Sequence, residues 1–395
     1  MKKAIIYGWL DFPRGSSSAN YVQYLGLALK EIGYDVYILS NSTDKSASNS
    51  DEYKGLKCVY YWSGTGKVRH YIDFNFRRGK IYSDAIKKIG LGPGDLLISY
   101  CQFREEFSDQ LKYAKKQGAK TIACVTEYFS RNDFTNKWKE WSYYQTLEKI
   151  IPAHDYLFPI STFIQKKYPS MRSLLLPIMA DTREYALKQK EADGKYIIIY
   201  PANGLMKDAL EPMLQAIVQL PKEIRNRIEF HITSASEEIV RKVVDDEMLG
   251  KTVFVHGWLE YDSLIELYQK AHFLFLARPK NQMTVANFPS KVPEAMTYGV
   301  IPIVSKVGDY TKYYLTDGVN SIIFDGCKVD NCVEAIVRAV TMSNIEIHGI
   351  GANARKTAES RFDYRVWCNK IEDFLQESIG RSEDGCLSEN KNIKT

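Results

Sequence analysis

Several familiar chemistries have little support in this sequence. The seven cysteines form no CxxC pair and show no disulfide-like density, so reduced thiols are expected rather than a stapled secreted fold. The six histidines are scattered, with no HExxH and no His–Cys grouping at zinc spacing, and neither a protein-held metal nor another resident cofactor is expected. No apolar run reaches the ~20 residues of a membrane span. The start, MKKAIIYGWLDF, turns polar too soon for a signal peptide, which points to the cytoplasm. Charge of one sign is scarce as well: 53 Lys and Arg against 48 Asp and Glu leave +5, too mild to indicate nucleic acid. A dehydrogenase is disfavoured because no strand is followed by GxGxxG; GLGPGD precedes a strand, and GTGK lacks the spacing of a phosphate loop.

What is present is a soluble globular composition, 45% hydrophobic and 26% charged over 395 residues, long enough for two domains. Lys3 to Tyr7 reads as a strand, followed by a polar loop, a helix with Val22, Leu25, Leu29 and Ile32 on one face, and a strand DVYIL after Gly33. Strand, loop, helix, strand is the start of a parallel sheet. DLLIS, TIACV and DYLFPI continue it. The pattern restarts at YIIIY (Tyr196 to Tyr200) and runs through IEFHI, TVFVH, HFLFLA, IPIVS and SIIF. The fold class expected is therefore α/β: two Rossmann-like doubly wound domains, 1–178 and 190–361, joined by a hinge over Pro177 to Lys195 and facing across a cleft. A polar tail is expected over 381–395.

Ligands of doubly wound sheets bind at the carboxyl ends of the strands, so the loops there are where chemistry is expected. In FPSKVPEAMTYGVIPIVS, Ser290 stands at an N-cap position and Lys291 adds a charge at a helix terminus that favours anions. Lys207, in PANGLMKD, lies on another loop of the same end. Two lysines and a helix dipole suit a diphosphate. Glu294, one turn in, is placed for sugar hydroxyls beside that anion. The plainer alternative is a helix cap, a first-turn acid and a solvated lysine.

SKVPEAMTYGVIPIVSKVGDYTKYYLTDGVNSIIF, together with KDALEPMLQAI, VHGWLEYDSLIELYQKAHFLFL and RFDYRVWCNKIEDFLQ, resembles the retaining, metal-independent glycosyltransferases group 1, which have the two-domain GT-B architecture. The resemblance covers nearly the whole second domain; the first matches in layout. It implies that Lys207, Ser290 and Lys291 bind the donor diphosphate, that Glu294 binds the nucleotide ribose, and that the helix over about 362–380 packs back onto the first domain. Arg278 would replace an arginine that PANGLMK lacks. The family's second glutamate, eight positions before the ribose-binding one, is here Ala286, followed by Asn287, which leaves the donor sugar open.

That family implies front-face transfer, in which catalysis consists of positioning and of stabilising the leaving diphosphate, the work of Lys207 and Lys291. Gly15 and Ser16 would lie near donor sugar and acceptor, and Glu127, after the TIACV strand, is a candidate for an acceptor hydroxyl. The resemblance implies a nucleotide-sugar donor, a UDP-sugar favoured, and a glycan or lipid-linked glycan acceptor, as in bacterial surface polysaccharide synthesis. Two alternatives stand beside it: a catalytically silent nucleotide-sugar-binding partner, and a sugar-nucleotide epimerase. KVRHYIDFNFRRGKIY (67–82) and NKWKEWSYYQTLEK (136–149) interleave cations with aromatics, as segments peripheral to the inner face of a membrane do. Against this, the spacing of Trp138, Trp141 and Tyr144 predicts the buried face of a helix.

Overall fold

In the computed structural model the described residues are all except 9, 14–15, 42–51, 61–76, 102–103, 105–106, 188–189, 191–194, 203, 205–206 and 389–395, with side chains not described over 378–388. Two mainly parallel sheets organise the chain.

The first sheet has the order β3-β4-β2-β1-β5-β6-β7, with β1 Lys2–Gly8, β2 Tyr34–Ser40, β3 Glu52–Tyr53, β4 Leu56–Tyr60, β5 Leu96–Tyr100, β6 Lys120–Val125 and β7 Tyr156–Pro159. β1 is central. Its side chains alternate between two cores, Ala4 and Ile6 in one, Ile5 and Tyr7 in the other, because helices cover both faces and a parallel strand must be apolar on each. The principal helices of this half are α1 Ser17–Glu31, α2 Arg78–Ile89, α3 Ser108–Lys116 and α4 Lys137–Gln145. Gly8, with φ of 145°, ends β1 where an added Cβ would lie 2.5 Å from the Tyr100 carbonyl oxygen, so only glycine lets β1 and β5 approach there.

The second sheet has the order β10-β9-β8-β11-β12-β13: β8 Tyr196–Pro201, β9 Ile228–Thr233, β10 Val253–Gly257, β11 Phe273–Leu276, β12 Ile301–Ser305 and β13 Ile322–Phe324. Its principal helices are α5 Leu210–Gln219, α6 Tyr261–Lys270, α7 Lys291–Thr297, α8 Val329–Thr341 and α9 Asn344–Thr357, followed by α10 Arg365–Ser388. In each sheet the strand order reverses beside its first strand, the doubly wound arrangement. Sequence periodicity missed the hairpin β3–β4. The tail expected from 381 is helical as far as Ser388.

The chain crosses between the halves twice, side by side. Ala180 N–H donates to the Phe362 carbonyl (2.8 Å), Tyr364 N–H donates to the Ala180 carbonyl (3.0 Å), Asp363 accepts from Thr182, and Arg365 pairs with Asp181 (2.9 Å). α10 packs on α1, and Phe374 meets Tyr156 and Phe158 of the first half. These contacts join the two halves through paired segments rather than a single strand of linker.

Candidate functional site

The carboxyl ends of the two sheets face each other, because the loops that follow their strands touch. After β7, Ser161 Oγ donates to the Ala286 carbonyl (2.7 Å), and Thr162 donates to Asp309 through both backbone N–H and hydroxyl. After β6, the Thr126 carbonyl accepts from Asn287 Nδ2 (3.3 Å), and Glu127 forms an ion pair with Lys207. The cleft of the sequence reading is thus lined from both sides.

Its second-half wall is organised by a residue that sequence reasoning did not single out, Asp208. One oxygen accepts from Arg278 Nε (2.8 Å); the other accepts from Tyr200 Oη (2.8 Å) and lies 3.8 Å from Lys291 Nζ. Its side chain is only 5% exposed and that of Arg278 2%, so each buries a charge that the other must satisfy. Burial opposes ionisation of Asp208, yet Lys291 and Arg278 beside it, and hydrogen bonds from Tyr200 and Arg278, hold its carboxyl below the usual range. The available signal was its place next to Lys207 in a loop following a strand.

Arg278 is fixed by its neighbours. Ser305, the last residue of β12, accepts from Arg278 N–H (2.7 Å) and donates to its carbonyl (3.0 Å), while Arg278 Nη1 donates to Asn287 Oδ1 (3.0 Å). Asn287 Nδ2 already donates across the cleft, so one side chain links the arginine to the other half. Lys291 opens α7 and is partly buried; desolvation, with Arg278 and Lys207 nearby, lowers its ammonium below the usual lysine value against the pull of Asp208. Ser290 precedes α7 in a helical conformation, and its hydroxyl accepts no capping bond. With only seven residues in α7 the helix dipole is modest, and the positive potential comes mainly from the three cations.

Glu294, one turn into α7, accepts from Tyr268 Oη (3.1 Å). Burial raises its carboxyl to about 7, although Tyr268 and Lys291 favour the ionised form. Lys207, Arg278, Asn287, Ser290, Lys291 and Glu294 therefore all lie on the loops after β8 and β11 and on α7, and Glu127 meets them from the first half. Ser16 stands apart from this cluster's hydrogen bonds: it caps α1 by accepting from Ala19 N–H (3.2 Å). Gly15 lies outside the described residues. Ala286, where a carboxylate was expected from relatives, is fully buried, and its carbonyl receives Ser161. Among the described residues no three His, Cys, Asp or Glu side chains group as metal ligands do.

The expected buried face of α4 is corrected. Trp138 and Trp141 are 64% and 43% exposed, stacked with centroids 4.8 Å apart, and Arg104 lies over Trp141. The buried contacts of α4 are made by Tyr143, whose hydroxyl accepts from Phe129 N–H (3.0 Å), and by Glu140, which pairs with Arg131 and Lys137. The helix is thereby tied to the loop that carries Glu127. Of the other cation-aromatic stretch, residues 67–76 lie outside the described residues. No described helix is long and apolar enough to cross a membrane.

Comparison with known proteins places this geometry. Residues 181–357 match the family model for glycosyl transferases group 1. Among solved structures, sucrose-phosphate synthase from Thermosynechococcus elongatus is 13% identical with a TM-score of 0.73, over 96% of this chain and 99% of that one. Anabaena HepE in complex with UDP-glucose is 11% identical, TM-score 0.68, over 95% and 100%. WaaG, a glycosyltransferase involved in lipopolysaccharide biosynthesis, is 12% identical, TM-score 0.66, over 94% and 99%. No curated protein matches the sequence. At such identities the structural likeness speaks for the fold, and the family rests on the matched segment: residues 181–357 of this two-domain GT-B chain are a domain of the glycosyl transferases group 1 family.

Proposed function

We propose that the protein transfers a sugar from a nucleoside diphosphate sugar to a glycan or lipid-linked glycan, with retention and without a metal. The observation that carries this reading is the grouping of Arg278 and Lys291 around the buried Asp208 carboxylate at the mouth of a sheet, with Lys207 near Lys291 and Glu294 one helical turn away. Arg278 and Lys291 share the single Asp208, and Lys207 beside them is paired with Glu127, which leaves positive charge for a diphosphate, whose negative charge grows as the sugar leaves. In this role Lys207 and Lys291 stabilise the leaving group, Arg278 adds charge while holding Asp208 and Asn287 in place, and Glu294 accepts from the ribose hydroxyls. Gly15, Ser16 and Asn287 remain the candidates nearest the sugar and acceptor.

Glu127 faces this group from the acceptor side. Front-face transfer needs no strong base, so its role is to orient an acceptor hydroxyl. A uridine donor is favoured because HepE, of the same fold, binds UDP-glucose. A role in surface polysaccharide synthesis is supported by the likeness to WaaG. The exposed Trp138–Trp141 pair beside Lys137 and Lys139 suits a glycan or the headgroup region of a membrane's inner face.

A second reading, a silent nucleotide-sugar-binding protein, draws on Ala286, whose side chain offers the sugar no carboxylate. Turnover separates the two. Nucleoside diphosphate released from a panel of UDP-, GDP-, ADP- and TDP-sugars only when acceptor is present supports transfer. Tight binding of a sugar nucleotide with no product in any acceptor extract would remove it in favour of the silent protein.

A further inference from the structure

At the opposite end of the second sheet, where β8, β11 and β12 begin, lies a cavity of about 400 Å³. Ile301, Tyr298 and Ile347 give it apolar walls, Leu187 and Lys190 close it from the segment that joins the halves, and His272 stands at the start of β11. None of the described residues lining it is acidic.

Two buried donors on these walls have no partner. Lys190 Nζ is one and His272 Nε2 is the other. For His272 the proton can be placed by its neighbour: Ile197 N–H donates to Nδ1 (3.1 Å), so Nδ1 is the acceptor and the neutral ring carries its hydrogen on Nε2. A buried donor without an acceptor is costly, and two in one cavity call for an explanation. Water could satisfy the hydrogen bonds but would leave the lysine charge uncompensated in an apolar chamber. Burial pushes Lys190 down to about 7, and His272 is lowered to about 4 by burial and by Lys190 and His348 nearby. What the described walls lack is a negative charge.

We propose that this cavity binds a small amphipathic anion, its carboxylate or phosphate held by Lys190 and His272 and its apolar body enclosed by Leu187, Tyr298, Ile301 and Ile347. The site is separate from the cleft but mechanically joined to it. Tyr298, just past α7, stacks on Tyr268 with centroids 5.8 Å apart, and Tyr268 donates to Glu294. Gly299, with φ of 64°, brings the chain past the Gly351 carbonyl of α9 with 3.4 Å left for a Cβ, so the wall is rigid backbone. An occupant would bear on the far end of α7 and on the joining segment, and so act as an effector of the donor site.

The test uses the full chain and thermal unfolding with octanoate, hexyl phosphate and octylamine as probes. Octanoate or hexyl phosphate is expected to raise the midpoint with concentration, the better of the two identifying the head group, while octylamine does not. Lys190→Met is expected to weaken the bound anion by about tenfold or more and to leave the ligand-free protein at least as stable as the parent. Ile347→Trp, which fills the chamber but keeps both donors, serves as the second variant and is expected to abolish the shift. Indifference of the parent to both anions would overturn the proposal, as would an undiminished shift in either folded variant. Binding of a nucleotide sugar plays no part in these outcomes, so failure here leaves the transferase reading standing.

Discussion

The second half contributes Lys207, Asp208, Arg278, Lys291 and Glu294 to the cleft, five ionisable groups in one network. The first half reaches this network with Glu127, holds the loops around it through the hydroxyls of Ser161 and Thr162 and the Thr126 carbonyl, and carries an exposed tryptophan pair on the helix tied to the Glu127 loop. A diphosphate is recognised by charge, and charge requires particular residue types at particular places. A glycan is recognised by stacking and many weak hydrogen bonds, which many residue types can supply. On the proposed reading, donor recognition is therefore concentrated in few residues and acceptor recognition is spread over a surface.

Four tests would break or sharpen that contrast. The largest effect is expected from Asp208→Ala, which strands a buried arginine: stability should fall by about 3–5 kcal/mol, read from urea unfolding, whereas a drop under 1 kcal/mol would mean the network is not organised by this carboxylate. Next come Lys291→Ala and Glu294→Ala, each expected to weaken donor binding by about 2–4 kcal/mol in calorimetry; unchanged affinity in both would sink the assignment of the donor wall. Third is pH. Glu294 holds its proton up to about 7 in the free protein, and ribose hydroxyls need it ionised, so binding must expel that proton. Donor affinity should drop by at most about tenfold per unit below that pH and level off above it, with Glu294→Gln removing the dependence. The same raised carboxyl makes the folded state lose stability as pH climbs from the unfolded value towards 7. The smallest effect, about 1 kcal/mol, is expected from Trp138→Ala together with Trp141→Ala, and only in the KM for acceptor. A matching loss of donor affinity would erase the distinction between the walls.

Legibility in the sequence followed the same division. Apolar runs such as YIIIY and IPIVS announce buried parallel strands, since a strand covered on both faces is apolar throughout and favours branched residues. Lys207, Lys291 and Glu294 could be singled out because loops after such strands are where ligands bind. Three features escaped. β4, LKCVY, alternates a lysine with apolar residues near the sheet's edge and follows a Ser- and Asn-rich stretch, so it reads as loop. Asp208 was hidden because an acid beside a lysine reads as solvated surface unless its distant partner, Arg278, 70 positions on, is known to return to it. Trp138 and Trp141 have the spacing of a core stripe, and periodicity records a shared face without recording what covers it.

The Glu127–Lys207 pair also implies an order of events. Each charge is committed to the other. A diphosphate that claims Lys207 releases Glu127, so the group that would greet an acceptor is set free only once a donor is seated. The expected kinetics are sequential, with the donor binding first and the acceptor second.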